Sequence, residues 1–278
     1  MGQIKSKIIT NIINKNFYSI LQKFANSHLG YHENLQLDFI QLNQEETLIL
    51  ADSIKKCEKL KVLNLNLNQN KSDFQTLQLV MKGISECHNL QSLTLNLRNI
   101  YLKNKGEQLG SSIAKNLNIQ NLVLSLLHNS FDNQDGHDII IGISKCPNLS
   151  QLALNFSITD QGISQIGQGL AQCKRLKNLK LNIFFNNSGV ECLEDLLIGI
   201  AQCENLSILA LVIGFRNRQI MEPCRIFLAS QIKIWKKLTT LKILIDGDTL
   251  LHGQKRNDII DLQAKKLDRL VNLRVIYI

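Results

Sequence analysis

The chain has 278 residues, of which 47 are Leu, 35 Ile and 29 Asn, against 2 Pro and 15 aromatic residues. A hydrophobic fraction of 44% can build a sizeable core and excludes a wholly disordered chain, while no apolar run approaches the ~18 residues of a membrane-spanning helix. Seven Cys without a secretory signal point to a reducing compartment rather than a disulfide framework, and the net charge of +9 leaves nucleic acid and anionic lipid open as partners.

The first seven residues, MGQIKSK, fit the N-myristoylation pattern M-G-x-x-x-[ST], with Gly2 as the lipidation site. Ile4, Ile8, Ile12, Phe17, Ile20, Leu21 and Phe24 follow near one helical face, with Lys5, Lys7, Lys15 and Lys23 as the charges and no acid before Glu33. The spacing predicts an N-terminal amphipathic helix within residues 1–28. Two compatible roles are open to it. It caps whatever follows, or it is the basic, membrane-proximal second signal that one acyl chain needs for stable anchoring. A mitochondrial transit peptide fits less well, because Arg is absent and Asn interrupts the pattern.

Residues 29–278 repeat one phrase nine times. Cys57 opens CEKLKVLNLNL, Cys87 opens CHNLQSLTLNL, Cys146 opens CPNLSQLALNF, Cys173 opens CKRLKNLKLNI and Cys203 opens CENLSILALVI. Counting the anchor as place 0, apolar residues fall at places 3, 6, 8 and 10. Degenerate copies start at Leu29 (with His32 at place 3), Asn116, Trp235 and Leu267, and the anchors lie 27 to 32 residues apart. Alternation at places 6, 8 and 10 predicts a short strand. The stretch before each anchor has helical period, as in Ile139, Ile143 and Cys146 or Leu196, Ile200 and Cys203. Ser53, Gly83, Ser112, Gly142, Gly169 and Gly199 recur four residues or so before the anchor. Gly in a helix interior costs about 1 kcal/mol, so this register implies a close approach, expected to be that of the helix to the strand layer.

A strand, a turn and a helix in each unit of ~30 residues is the pattern of leucine-rich repeats, and the chain resembles their ribonuclease-inhibitor-like class, most closely over ITDQGISQIGQGLAQCKRLKNLKL, from Ile158 to Leu181. The resemblance implies an α/β solenoid, or horseshoe, with a parallel sheet on the concave face and helices on the convex face. It departs from the family at one place. The Asn usual three places after the second strand Leu is present only as Asn68; the other copies read Ile40, Arg98, Leu127, Ser157, Phe184, Gly214, Asp246 and Ile278. A regular Asn ladder at that place is not expected.

If places 6, 8 and 10 face the core, places 7 and 9 face the open concave side. Place 9 reads Asp38, Asn66, Asn96, Ser125, Asn155, Asn182, Val212, Leu244 and Ile276; place 7 reads Gln36, Asn64, Thr94, Val123, Ala153, Lys180, Ala210, Lys242 and Arg274. The strip is amide-rich toward the N-terminus and apolar toward the C-terminus, where Phe184, Phe185 and Phe215 stand near strand ends. Asn64, Asn66, Asn96, Asn155, Asn182, Val212, Leu244, Phe185 and Phe215 are therefore the candidate protein-binding residues. The last strand, VNLRVIYI, is expected to be an uncapped edge that a second chain or another copy can meet.

Other constellations have structural readings. His128, Asp132, Asp135, His137 and Asp138 lack the ligand order of a calcium loop, and turn and capping duty is expected of them. The glycines at 162, 167 and 169 are not followed by the Lys-Ser/Thr of a phosphate loop. The five anchor Cys lack zinc-ligand spacing and are expected as small buried residues. N-x-[ST] sequons begin at Asn70, Asn148, Asn155, Asn186 and Asn205, as Asn abundance alone would give. No nucleophile–base–acid arrangement is found, and no cofactor or metal is expected. Residues 1–32 carry +4, residues 33–173 carry −2 and residues 174–278 carry +7, a split that argues against a nucleic-acid cradle along the array.

The expected function is that of a non-enzymatic scaffold or adaptor, cytoplasmic, binding a protein on the concave face and C-terminal edge, with peripheral membrane contact if Gly2 is acylated. Alternatives are a regulator of a GTPase, since ribonuclease-inhibitor-like repeats occur in the Ran GTPase-activating protein, and a structural subunit of a large assembly. The acidic tail of the former is missing here.

Overall fold

The computed structural model describes residues 17–39, 41–69, 74–157, 159–185, 190–215, 218–235, 237–246 and 272–277. Its strands are β1 (Phe17–Tyr18), β2 (Asn34–Asp38), β3 (Val62–Asn66), β4 (Ser92–Asn96), β5 (Asn121–Leu126), β6 (Gln151–Phe156), β7 (Asn178–Phe185), β8 (Ile208–Phe215), β9 (Thr240–Asp246) and β10 (Asn272–Tyr277). Helices α1 (Leu21–Ala25), α2 (Gln44–Lys55), α3 (Phe74–Ser85), α4 (Gly106–Ala114), α5 (Asn133–Ser144), α6 (Asp160–Leu170), α7 (Val190–Ala201) and α8 (Arg218–Gln231) alternate with them. The sheet runs in chain order from β1 to β10, every neighbouring pair is parallel, and the sheet is open. This is the α/β repeat solenoid that the periodicity predicts.

The register follows from burial. In β2 to β9 and the residues that continue them, every side chain at places 6, 8 and 10, from Leu35, Leu37 and Phe39 to Leu241, Ile243 and Ile245, is at most 3% exposed. A one-residue slip would put all of these into water. Parallel strands lie ~4.8 Å apart whereas packed helices lie ~8–10 Å apart, so the helix layer takes the outer side of any curve and the sheet the concave side.

The recurring small residues meet something other than the strand layer. A Cβ on Gly83 would come within 2.6 Å of the Ala51 carbonyl oxygen, one on Gly142 would overlap the backbone of Gly110, and one on Gly199 would overlap the backbone of Gly167. These partners belong to the preceding helix: α3 sits on α2, α5 on α4 and α7 on α6. Gly169 likewise meets the Ile140 side chain of α5 at 2.8 Å. Glycine here brings helices together along the array, which reduces the spacing mismatch with the strands.

The N-terminal segment differs from a single amphipathic helix in its described part. Phe17 and Tyr18 form a strand beside Gln36 and Leu37, and a short helix follows from Leu21. Leu21 and Phe24 are buried, but Phe17 is 39% and Ile20 51% exposed, so the supposed single face is divided. Met1 to Asn16, including Gly2, lie outside the described residues.

Candidate functional site

The parallel register assembles the expected concave strip and adds a row. Gln36, Asn64, Thr94, Val123, Ala153, Lys180, Ala210, Lys242 and Arg274 pair across consecutive strands, as do Asp38, Asn66, Asn96, Ser125, Asn155, Asn182, Val212, Leu244 and Ile276. Two residues earlier on each strand stands a third row of the same parity, with Asn34, Val62, Ser92, Asn121, Gln151, Asn178, Ile208 and Thr240. The strand alternation already implied it, since place 5 faces the same way as places 7 and 9. Asn64, Val123, Lys180, Ile208 and Lys242 are exposed, and Asn66, Asn96, Asn155, Asn182, Val212 and Leu244 partly so. Phe185 and Phe215 pair with each other at the ends of β7 and β8, three positions past Asn182 and Val212; their side chains are outside the described residues.

The candidate amides are not equivalent. Asn66 donates from Nδ2 to Asp38 Oδ1 at 2.7 Å, and its Oδ1 accepts from the backbone N–H of Asn68 at 3.1 Å. Asn96 Oδ1 accepts from the Arg98 N–H at 3.3 Å. Both therefore help end their own strands. The Oδ1 atoms of Asn121 and Asn182 have no partner. Past these strand ends, Gln41, Gln69, Asn99 and His128 recur at place 12 with φ of 60°, 59°, 56° and 60°, a left-handed turn that takes the chain out of the sheet. β7 and β8 run through place 12 instead, so the sheet is widest there: 8 residues per strand against 5 in β2, β3 and β4.

Four of the 29 Asn serve another ladder, at place 2. Asn89 Nδ2 donates to Glu58 O (2.8 Å), Asn118 to His88 O (2.6 Å), Asn148 to Leu117 O (3.0 Å) and Asn205 to Lys174 O (2.7 Å). Arg175 and Lys237 make the same reach, to Pro147 O and Glu204 O. Every acceptor is the place 1 carbonyl of the preceding repeat. The signal was visible in the aligned copies as an Asn two residues after the anchor. It also occupies the Nδ2 of two sequon residues, Asn148 and Asn205.

The turn role usual at place 11 falls to Asn129 instead. It is fully buried, donates to Leu97 O at 2.7 Å and Leu126 O at 3.1 Å, and accepts from the Ile100 N–H at 2.8 Å. Asn68 Oδ1 has no partner. Asp135, 3% exposed, accepts from the backbone N–H groups of Asp132, Asn104 and Gly106, while Asp132 caps the first turn of α5. This capping box uses two of the three acids of the metal-like cluster, and no metal-ligand group of three occurs among the described residues.

The anchor thiols of Cys87, Cys146 and Cys203 point at carbonyls of the preceding helix, Ile54 O (3.3 Å), Ile113 O (3.8 Å) and Leu170 O (3.2 Å). All seven Cys are free and buried. Burial pushes the Cys57, Cys87 and Cys173 thiols up to about 12, and those of Cys146 and Cys203 to about 11. They are neutral weak donors that close a layer, not nucleophiles.

His32, at a place that is aliphatic in later repeats, is 9% exposed, with Nε2 2.9 Å from Ser27 Oγ and 3.4 Å from Tyr18 Oη. The Ser27 hydroxyl donates to Phe24 O at 2.6 Å. Its proton is committed there, so the pair is a helix-end brace rather than a nucleophile and its base. Burial, then the nearby His28, hold the imidazole below its ordinary value.

No helix among the described residues is long and apolar enough to cross a membrane. No protein-family model and no curated protein matches the chain.

Proposed function

We propose that the chain is a leucine-rich-repeat protein of the ribonuclease-inhibitor-like type, without catalytic activity, and that it binds a protein partner on the open face of its sheet. The observation that carries the reading is the set of three in-register rows of partly exposed side chains on one face of the sheet, beside a helix layer tied together by glycine contacts. A rigid array of this kind presents extended side-chain rows that a partner can read. Asn64 and Asn155 are the better probes of the amide half, because Asn66 and Asn96 also terminate their strands. Proteins captured on the wild-type chain from its own cells are expected to be lost from the Asn64→Arg, Asn155→Arg double variant, with the thermal midpoint unchanged. Retention of the same stoichiometric partner by that variant rejects the reading.

A further inference from the structure

The C-terminal half of the sheet face carries two unlike rows side by side. In one, Lys180 on β7 and Lys242 on β9 flank Ala210 on β8, and Arg274 of β10 pairs next to Lys242. In the other, Val212 and Leu244 pair across β8 and β9, with Ile276 next in register. Both lysines are exposed, and the ion pairs of the described residues lie elsewhere. Asp38, five strands away on β2, is the one acid in the three rows, and Asp246 stands beyond them at the end of β9, two residues past Leu244. The face is therefore cationic along one line and apolar along a parallel line ~6.6 Å away, two residues along the strands.

We propose, on the reading that this face binds protein, that its β7–β10 half receives an acidic amphipathic helix lying across the strands. Lys180 and Lys242 are two strand spacings apart, about 10 Å, and seven residues of α-helix rise about 10.5 Å and return to nearly the same side. Carboxylates at i and i+7 of such a helix reach both lysines. Its apolar stripe then rests on Val212 and Leu244, with Ala210 leaving room between the lysine stems. Charge excludes the chain's own N-terminal segment as the occupant, since it carries four lysines and no acid. A single-stranded nucleic acid fits less well: the described side chains of this half include no aromatic ring on which a base stacks.

The test uses the full chain and three fluorescein-labelled, hydrocarbon-stapled 18-residue helices. One has Glu at i and i+7 beside a Leu stripe, one has the same Glu residues moved to the opposite face, and one has Lys in their place. Fluorescence anisotropy is expected to show the first binding at least tenfold more tightly than the other two. Lys180→Ala with Lys242→Ala, and separately Val212→Asp, each weaken it at least tenfold, whereas Asn64→Arg on the distant half changes it less than twofold. Equal binding of the first two helices, or undiminished binding by the lysine variant, overturns the proposal. So does preferential displacement of the first helix by a single-stranded RNA 12-mer, or a dimer in sedimentation velocity that the lysine variant abolishes; these would assign the face to nucleic acid or to a second copy. If the cellular partner is lost from Asn64→Arg, Asn155→Arg while the acidic helix fails, the broader reading stands and this one alone falls.

Discussion

Gly142 of α5 faces Gly110 of α4 so closely that a methyl group on the former would overlap the backbone of the latter. In an isolated helix, Gly→Ala adds about 1 kcal/mol of stability. Here the added carbon has no flexible side chain to displace, only backbone. Gly142→Ala is expected to destabilise by about 1–3 kcal/mol, the usual range for overpacking. Gly30→Ala, whose nearest new neighbour would be the Lys56 carbonyl at 3.9 Å, should change stability by less than about 0.5 kcal/mol. Urea unfolding of both variants checks the contrast; equal midpoints would remove the helix–helix role.

Asn129 and Asn68 make a second contrast. Replacing Asn129 by Ala leaves the Ile100 N–H and the Leu97 carbonyl without their side-chain partner in a buried turn, an expected loss of about 2–6 kcal/mol at about 1–3 kcal/mol for each orphaned group. Asn68→Ala removes an amide whose oxygen has no partner, and the midpoint should stay within about 0.5 kcal/mol.

The N-terminal brace should respond to acid. His32 has a folded pKa below its ordinary 6.5, so its neutral form is the one the fold accepts. Stability is complete above pH 6.5 and falls as the pH drops from there toward the folded pKa, because the unfolded chain takes up the proton first. Amide exchange of Phe17 to Asp38 is expected to accelerate over that window relative to β5 and β6. His32→Gln should remove the pH step while lowering protection at all pH values.

Alkali should act on the thiols with the opposite sign. Five anchor cysteines have folded values of about 11 or 12 against 9.0. Their contribution is intact below pH 9.0 and is lost as pH rises toward the folded values, since only the unfolded chain readily forms thiolates. At pH 8, iodoacetamide should label the native chain at less than a tenth of the rate seen in urea; rapid native labelling of Cys57 or Cys173 would contradict the burial.

The strand register was legible because water penalises every error in it: Leu, Ile and Phe at places 6, 8 and 10 can be buried together in only one phase. The three rows on the other face came with that phase. Other features were not legible for equally physical reasons. Gly83, Gly142 and Gly199 announce that something is close, but spacing along one helix does not say whether the neighbour is a strand or another helix. Asn129 and Asn68 are chemically identical, and only the path of the turn decides which one finds carbonyls to bind. The apolar spacing from Ile4 to Phe24 suggested one helix, yet Phe17 and Tyr18 had an unpaired strand edge on β2 within reach, and backbone pairing prevailed there.

The rungs at place 2 have one further consequence. From the third unit to the eighth, donor and acceptor occupy fixed places, and each rung reaches back to the unit before it. A duplicated unit of about 30 residues would thus arrive with its own attachment to its predecessor and an equivalent socket for its successor. An array wired in this way can lengthen or shorten by whole copies without any new fastening, and the joint itself gives the series a direction.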